Sequence, residues 1–214
     1  INTPEDKGNI RHFSLAKYIK QYDWEVNLIS GSIEHITNKQ KLKKKNKFKI
    51  FELDQLKICL IKITKFNNKS LITRSISMIE FSFKLITSNA LKNLKKPDLI
   101  IGSSPNPISA LASAFLSLRF GVPFIFEVRD LWPETLLQMK VLNKKGFFYF
   151  VLDIIEKFLL KFSYKVIVLV EGGIDYYISK GLSPSKIIYL PNGIDMINRP
   201  FREVKKNNNI FKIF

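Results

Sequence analysis

Four charged side chains and a tryptophan crowd residues 127–134, directly after an apolar run. The segment reads Glu127-Val128-Arg129-Asp130-Leu131-Trp132-Pro133-Glu134. A charge at the end of a buried strand is costly unless it is paired with an opposite charge or used in binding or catalysis. We therefore predict a functional site here. A structural ion pair between Arg129 and Asp130, or between Arg129 and Glu127, is the alternative interpretation.

Two turns could bring further polar groups to the same site. The segment Gly102-Ser103-Ser104-Pro105-Asn106 offers hydroxyls and the exposed amides of a following helix, which could hold sugar hydroxyls or an anion. Asn106 could equally serve only as the N-cap of that helix. The second segment, Pro191-Asn192-Gly193, is a sharp turn of the kind found where a chain leaves one domain for another.

The opening segment carries one more candidate. Gly8 precedes a predicted helix that contains Arg11 and His12. A glycine beside a helix N-terminus lets the backbone approach a phosphate or a sugar closely. An ordinary turn is the alternative interpretation of Gly8.

Short β-type runs and longer helical runs alternate along the chain and must position these residues. Strands are predicted at residues 26–29, 58–63, 99–101, 123–128, 165–170 and 186–190. Helices are predicted at 10–22, 73–95, 108–120, 146–162 and 173–180, with a short one opening at Pro133 and Glu134. The seven lysines from Lys39 to Lys49 indicate a solvated loop. This alternation predicts βαβ units and a parallel sheet whose carboxyl edge carries the ligand-binding loops.

The composition indicates a packed globular domain with anionic partners. The chain has 35 Lys and Arg residues against 18 Asp and Glu, a net charge of +17, and 46% of its residues are hydrophobic. Such charge suits nucleic acid, anionic lipid or phosphorylated substrates. Compositional drift in an AT-rich genome would give the same bias without a function. The sequence contains no helix-turn-helix, RNA-binding or zinc signature, so no nucleic-acid partner is expected.

The positions of cysteine and glycine residues argue against a disulfide, zinc or redox protein and against a dinucleotide-binding dehydrogenase. The single cysteine, Cys59, cannot form an internal disulfide and belongs to no zinc or redox motif. No Gly-x-Gly-x-x-Gly follows a predicted strand, which argues against a Rossmann dehydrogenase.

Three segments in the second half of the chain together carry a resemblance. They are Pro97-Asp98-Leu99-Ile100-Ile101-Gly102-Ser103-Ser104, Gly121-Val122-Pro123-Phe124-Ile125-Phe126-Glu127-Val128-Arg129-Asp130-Leu131-Trp132-Pro133-Glu134 and Tyr189-Leu190-Pro191-Asn192-Gly193-Ile194-Asp195. They resemble the N-terminal, acceptor-side domain of family 4 glycosyltransferases, which have the two-domain GT-B fold, and residues 8–16 resemble its opening loop and first helix. The Arg-Asp-Leu-Trp-Pro-Glu form is similar to the branch that builds bacterial O-antigen and capsule polysaccharides. The likeness is less clear between Gly31 and Arg74.

The resemblance implies a Rossmann-like three-layer α/β sandwich and a retaining, metal-independent sugar transfer from a nucleotide donor to a hydroxyl acceptor, without a cofactor. Asp130 and Arg129 are the expected catalytic residues. The residues expected to bind substrate are Gly8, Arg11, His12, Ser103, Ser104, Asn106, Glu127, Trp132, Glu134 and Asn192. Many relatives carry a histidine where Arg129 stands. Because arginine stays protonated, Arg129 could only donate hydrogen bonds to sugar or phosphate, or position Asp130.

The resemblance also implies a domain boundary. Residues 1–200 are expected to form the domain, and residues 201–214 a linker and the start of a truncated, nucleotide-binding domain, with the first strand missing before Ile1. On this interpretation the chain alone is inactive. We expect a cytoplasmic location, peripheral on the inner face of the cell membrane, with a nucleotide-sugar donor and a lipid-linked or saccharide acceptor. The alternative function is a nonenzymatic basic α/β domain that binds an anionic membrane surface.

Overall fold

Strands and helices alternate in the structure as the hydrophobic periodicity predicts. The structure, a computed structural model, describes residue 3 and residues 10–34, 36–66 and 70–193. The strands are β1 (Asn27–Gly31), β2 (Phe48–Leu53), β3 (Leu56–Ile61), β4 (Ile100–Ser103), β5 (Phe124–Val128), β6 (Lys165–Val168) and β7 (Ile187–Tyr189). The helices are α1 (Arg11–Ile19), α2 (Leu71–Thr87), α3 (Pro107–Phe120), α4 (Glu134–Gln138), α5 (Phe147–Phe162) and α6 (Gly172–Ser179). The predicted opening loop at 4–9 and the tail at 201–214 lie outside the described residues.

The second half of the chain forms a parallel sheet with the strand order β4-β5-β6-β7. All three neighbouring pairs are parallel, because a helix returns the chain to the start of the sheet after each strand. Ser103 pairs with Glu127, and Val128 pairs with Val168, so the strands end at a common edge. This confirms the predicted α/β fold with a parallel sheet.

The core of this sheet lies on one face of β5. Phe124, Phe126 and Val128 pack with residues of α3, α5 and α6, each at 3% exposure or less. Burial of side chains of this size contributes about 1.5–3 kcal/mol each. Because side chains alternate along a strand, Glu127 faces the opposite side of the sheet. There it meets α1.

A second sheet has the order β1-β3-β2 and corrects one expectation. β1 is parallel to β3, but β2 is antiparallel to β3 and was not predicted. The turn between them places Asp54 and Gln55 at φ 49° and 62°, the left-handed conformation that a two-residue hairpin turn requires. Asp-Gln is an unusual pair for such a turn, which is why the hairpin went unrecognised. The lysine-rich loop, predicted to run to Lys49, ends at Lys47, because β2 begins at Phe48.

Both faces of this second sheet are covered. Ile58 and Leu60 of β3 pack toward α1, while Cys59 and Ile61 pack toward α2 and α3. Burial raises the pKa of the Cys59 thiol to about 11, as expected of an inert thiol in a core.

Local signals define α3 and divide the predicted helix 73–95. The Asn106 side chain accepts a hydrogen bond from the Ser109 amide at 3.1 Å, and Gly121 ends α3 at φ 68°. This confirms Asn106 as the N-cap. By contrast, the helix predicted at 73–95 ends at Thr87 and resumes as a 3-10 turn, Asn89–Asn93. Ser88 breaks it, because its hydroxyl accepts the Ala90 amide at 3.0 Å.

Candidate functional site

The carboxyl edge of the parallel sheet holds a turn fixed by a buried serine. The Ser104 hydroxyl accepts hydrogen bonds from the backbone amides of Arg129, at 2.8 Å, and Asp130, at 3.1 Å. It donates in turn to the backbone oxygen of Asp130 at 3.2 Å. Ser104 is 1% exposed, so its hydroxyl serves the turn after β5. This is how the fold positions the side chains of Arg129 and Asp130.

Glu127 is the centre of a polar cluster beside that turn. Its Oε1 accepts a hydrogen bond from Nε of Arg11 at 3.0 Å. Its Oε2 accepts from the Ser103 hydroxyl at 2.6 Å and lies 2.6 Å from Nε2 of His12. The side chain of Glu127 is 3% exposed and that of His12 is 27% exposed. We call these four residues the Glu127 cluster.

The Glu127 cluster holds a buried carboxylate in its charged form. Burial alone raises the pKa of Glu127. Hydrogen bonds from His12, Ser103 and Arg11, with the charge of His12 when it is protonated, outweigh that effect and lower the pKa to about 2. A carboxylate that is buried and fully hydrogen-bonded in this way can orient its neighbours without itself changing protonation at neutral pH.

Arg11 joins this cluster to the segment that follows β7. Its terminal nitrogens donate to the backbone oxygens of Leu190, at 2.8 Å, and Pro191, at 2.7 Å. A longer contact of 3.4 Å reaches Oδ1 of Asn192. The planar guanidinium has five N–H donors, which lets one side chain join two parts of the chain. Arg11 and Asn192, predicted separately, therefore belong to one site.

The side chains of Asp130 and Arg129 are uncommitted. Asp130 is exposed and Arg129 half-buried. Within the residues that the structure describes, neither side chain forms a hydrogen bond or an ion pair; only their backbone groups are engaged. The ion pairs that the sequence offered as the alternative, Arg129 with Asp130 or with Glu127, do not form. Two charged groups thus remain available to a ligand.

A small cavity of about 10 Å³ lies beneath the turn, bordered by Trp132, Glu156 and Tyr177. Nε1 of Trp132 is buried and has no hydrogen-bond partner in the described part of the chain. Glu156 accepts a hydrogen bond from the Tyr177 hydroxyl at 3.1 Å and pairs with Lys180 at 2.5 Å. Burial raises the pKa of Glu156, and Lys180 offsets this only in part. In the sequence Glu156 is one of four charged residues in the apolar stretch 147–162, so nothing there singles it out as buried.

Comparison with known proteins shows the family of the chain. The family described as Glycosyl transferase 4-like domain matches residues 74–193, more than half of the chain. The chain belongs to this family. A search of curated proteins finds no match. The chain is accordingly a glycosyl-transfer domain, a class that acts on a sugar donor and an acceptor. The match contains Ser103, Glu127 and Asp130, whereas Arg11 and His12 precede it.

Two other predicted residues, Asn106 and Glu134, form contacts outside the Glu127 cluster. Asn106 caps α3, and its side-chain nitrogen donates to the Met78 backbone oxygen at 3.4 Å. Glu134 opens α4 and accepts from Gln138 at 3.4 Å. Gly8 lies outside the described residues. A substrate contact by these residues, as by the other predicted site residues, stays a prediction.

All four residues of the Glu127 cluster were predicted from the sequence as site residues, but their contacts with one another were not. The signal was present: Glu127 is the one charged residue in the apolar run 124–128, so it requires a partner inside the protein. Which cation supplies that partner cannot be read from the sequence, because Arg11 is 116 residues away along the chain.

Neither a metal-binding cluster nor a membrane-spanning helix is found among the residues that the structure describes. Among the described side chains, no group of three or more His, Cys, Asp and Glu residues could hold a metal ion. None of the described helices is long and apolar enough to cross a bilayer.

Proposed function

We propose that this glycosyltransferase domain forms the acceptor side of a retaining enzyme that synthesises cell-surface polysaccharide, such as O-antigen or capsule. The donor is a nucleotide-sugar, and the acceptor is a lipid-linked or free saccharide. The observation that carries the proposal is the uncommitted Asp130 carboxylate at the carboxyl edge of the sheet. Open parallel sheets bind their ligands at this edge.

In the proposed reaction, an acceptor hydroxyl replaces the nucleoside diphosphate at the anomeric carbon of the donor sugar, with retention of configuration. The enzyme must orient the acceptor and stabilise the departing diphosphate. Asp130 accepts a hydrogen bond from a hydroxyl of the acceptor or of the transferred sugar. Arg129 donates to a sugar or phosphate oxygen, because its guanidinium stays charged at all working pH values.

The Glu127 cluster supports Asp130 and Arg129 by holding the surrounding backbone in place. Ser103 and Glu127 fix the end of the sheet, and Arg11 fixes the segment that contains Asn192. His12 is only partly buried, so its ring can also touch a bound substrate. Trp132 and Ser104 shape the turn that presents Asp130. The proposal needs neither a metal ion nor a cofactor, and it assigns no role to nucleic acid.

Domain limits and location form part of the same proposal. Residues 1–200 make up the acceptor-side domain, and a nucleotide-binding domain completes the cleft. The enzyme works at the cytoplasmic face of the cell membrane, where both nucleotide-sugars and lipid-linked acceptors are found. Sequencing the DNA on both sides of this reading frame tests the domain limits directly.

The activity is tested by Asp130→Asn in the full-length protein. The change keeps the shape of the side chain but removes its charge, and we expect kcat/KM for sugar transfer to fall by about 100-fold or more, the typical loss when one catalytic polar contact is removed. Transfer is measured with a panel of radiolabelled nucleotide-sugars. The control is Asp175→Asn on α6, which is also exposed and whose side chain has no hydrogen-bond or ion-pair partner among the described residues. If Asp130→Asn keeps activity within about threefold of the Asp175 control, Asp130 is not part of the site.

A further inference from the structure

A buried indole N–H lies beneath the turn that carries Asp130. Nε1 of Trp132 is closed off from solvent and has no hydrogen-bond partner in the described part of the chain. An indole N–H can only donate, and a donor without an acceptor inside a protein is costly. Buried polar atoms almost always contact another polar group or an ordered water molecule. Trp132 therefore requires an acceptor that direct contacts among the described residues do not supply.

The cavity that Trp132 borders has the size of one water molecule. Its volume is about 10 Å³, which is close to the least space that a single water needs. Phe126, Leu152 and Leu159 form apolar parts of its wall. A sugar or a phosphate group is too large to enter. The size of the cavity therefore limits its occupant to water.

Two side chains of α5 and α6 offer this cavity unused acceptor positions. The Glu156 carboxylate accepts from the Tyr177 hydroxyl on one oxygen, at 3.1 Å, and from Lys180 on the other, at 2.5 Å. Each carboxylate oxygen can accept once more, and so can the oxygen of the Tyr177 hydroxyl. Ser104 also borders the cavity, but its hydroxyl already accepts from two backbone amides and donates to a backbone oxygen. Glu156 and Tyr177 are therefore the side chains that can complete a water site.

We propose that one water molecule binds in this cavity and joins Trp132 to Glu156. The water oxygen accepts a hydrogen bond from Nε1 of Trp132. Its two hydrogens are donated to the Glu156 carboxylate and to the Tyr177 hydroxyl oxygen. Three hydrogen bonds are typical of a buried water. Burial raises the pKa of Glu156, and a further donor favours its charged form.

The water makes Glu156 a positioning residue for Asp130. The backbone amide of Trp132 donates to the backbone oxygen of Asp130 at 3.0 Å, so the indole and the turn are joined directly. Glu156 is 4% exposed and is held by the Tyr177 hydroxyl. Ser104 thus holds the turn from the end of β4, and the water holds it from α5. The effect on sugar transfer rests on the proposed function, whereas the water site does not.

Nuclear magnetic resonance of the full chain with isotope-labelled tryptophan tests the water site. The chain has two tryptophans, and the variant Trp24→Phe assigns the remaining indole signal to Trp132. Trp24 is 55% exposed, so its indole hydrogen exchanges freely with solvent. We expect a nuclear Overhauser effect between the indole hydrogen of Trp132 and a bound water. A Trp132 signal without this effect overturns the proposal, because the indole is then unbonded or bonded to Glu156 directly.

Three variants test the link between the water and Asp130. Glu156→Leu removes the acceptor at similar size; it should abolish the water signal and, in the full-length protein, lower kcat about tenfold with KM within about twofold. Glu156→Gln keeps an acceptor oxygen and should retain the water signal and most of kcat. Leu152→Phe fills the cavity without changing a polar group and should act as Glu156→Leu does. It keeps the test decisive if Glu156→Leu does not fold.

Lys180→Met is the matched control for loss of the buried ion pair. It breaks the contact between Lys180 and Glu156 but leaves the Glu156 oxygens in place. We expect it to keep the water signal and to transfer sugar within about threefold of the wild type. An equal fall of kcat in Lys180→Met and Glu156→Leu would show that the ion pair, not the water, holds the turn, and would overturn the proposal.

Failure of this inference and failure of the proposed function give different results. A chain that shows the water contact but never transfers sugar refutes the proposed function and leaves the water site in place. A chain that transfers sugar without a water contact at Trp132 refutes only this inference. Unchanged kcat in a Glu156→Leu protein that has lost the water signal refutes the positioning role of Glu156.

Discussion

Replacing Glu127 with glutamine removes one negative charge from a place that water hardly reaches. The side chains of Glu127 and Arg11 are 3% and 5% exposed, so solvent does little to screen their interaction. Loss of one partner from a buried ion pair costs about 3–5 kcal/mol, because the other charge stays buried without compensation. Arg11 keeps its contacts with the backbone oxygens of Leu190 and Pro191, which points to the lower end of that range.

The lowered pKa of Glu127, which arises from the same contacts, gives a second magnitude for this substitution. A fall from the ordinary value of 4.5 to about 2 corresponds to about 3 kcal/mol of stability at neutral pH. Since folding lowers this pKa, the contribution is fully present above pH 4.5 and is lost as the pH falls toward about 2. The two routes agree, and we expect Glu127→Gln to lower the free energy of unfolding by about 3 kcal/mol at pH 7.

Urea denaturation followed by circular dichroism at pH 7 and at about pH 3 provides the measurement. The advantage of the wild type over Glu127→Gln should shrink at the lower pH, because at about pH 3 the Glu127 carboxyl of the unfolded wild-type chain is already protonated while that of the folded chain is still mostly ionised. Glu134→Gln, at a partly exposed position, should stay within about 0.5 kcal/mol of the wild type at both pH values. A Glu127→Gln chain as stable as the wild type, or a difference that does not change with pH, refutes this account of the cluster.

Two further substitutions test how the carboxyl edge is built. Gly102→Ala should lower the free energy of unfolding by about 1–3 kcal/mol, because the new methyl group would lie 2.9 Å from the Phe124 ring. Thermal melts measure the change. Gly172→Ala is the control and should be neutral, because the space around Gly172 is open. Ser104→Ala should cost about 1–3 kcal/mol by leaving two backbone amides without an acceptor, and it should lower sugar transfer by releasing Asp130. Wild-type stability and transfer in the Ser104 variant would show that the turn is held by other contacts.

Hydrophobic periodicity was sufficient to predict most of the fold. The continuous apolar run of β5 and the capped helix after Asn106 are local signals, so they predicted the parallel sheet and the ends of α3. Strand β2 was not predicted, because its hairpin turn consists of Asp54 and Gln55. Neither residue type indicates a left-handed backbone as clearly as glycine does. The end of the helix at Ser88 was not predicted either. A serine inside a helical pattern ends the helix only where its hydroxyl accepts a hydrogen bond from a nearby backbone amide, as it does here from Ala90.

The residues of the candidate site could be selected from the sequence, but the contacts among them could not. Glu127 stands out in an apolar strand, and Asp130 follows a strand end, so both could be selected from the sequence. Their different roles could not: Glu127 is fully engaged and Asp130 is uncommitted, a distinction that depends on Arg11 and on Ser104. Glu156 gave no signal at all, because its helical position resembles that of any solvated glutamate until α6 covers it.

The contacts of Arg11 have a consequence for the order in which the domain assembles. Helix α1 leaves the ribosome before its partners do: the carboxylate at position 127 and the carbonyls at 190 and 191 emerge more than a hundred residues later. Contacts so distant along the chain form late and slow the search for the native state. Helix α1 therefore reaches its final place only after β7 and the residues that follow it have been synthesised.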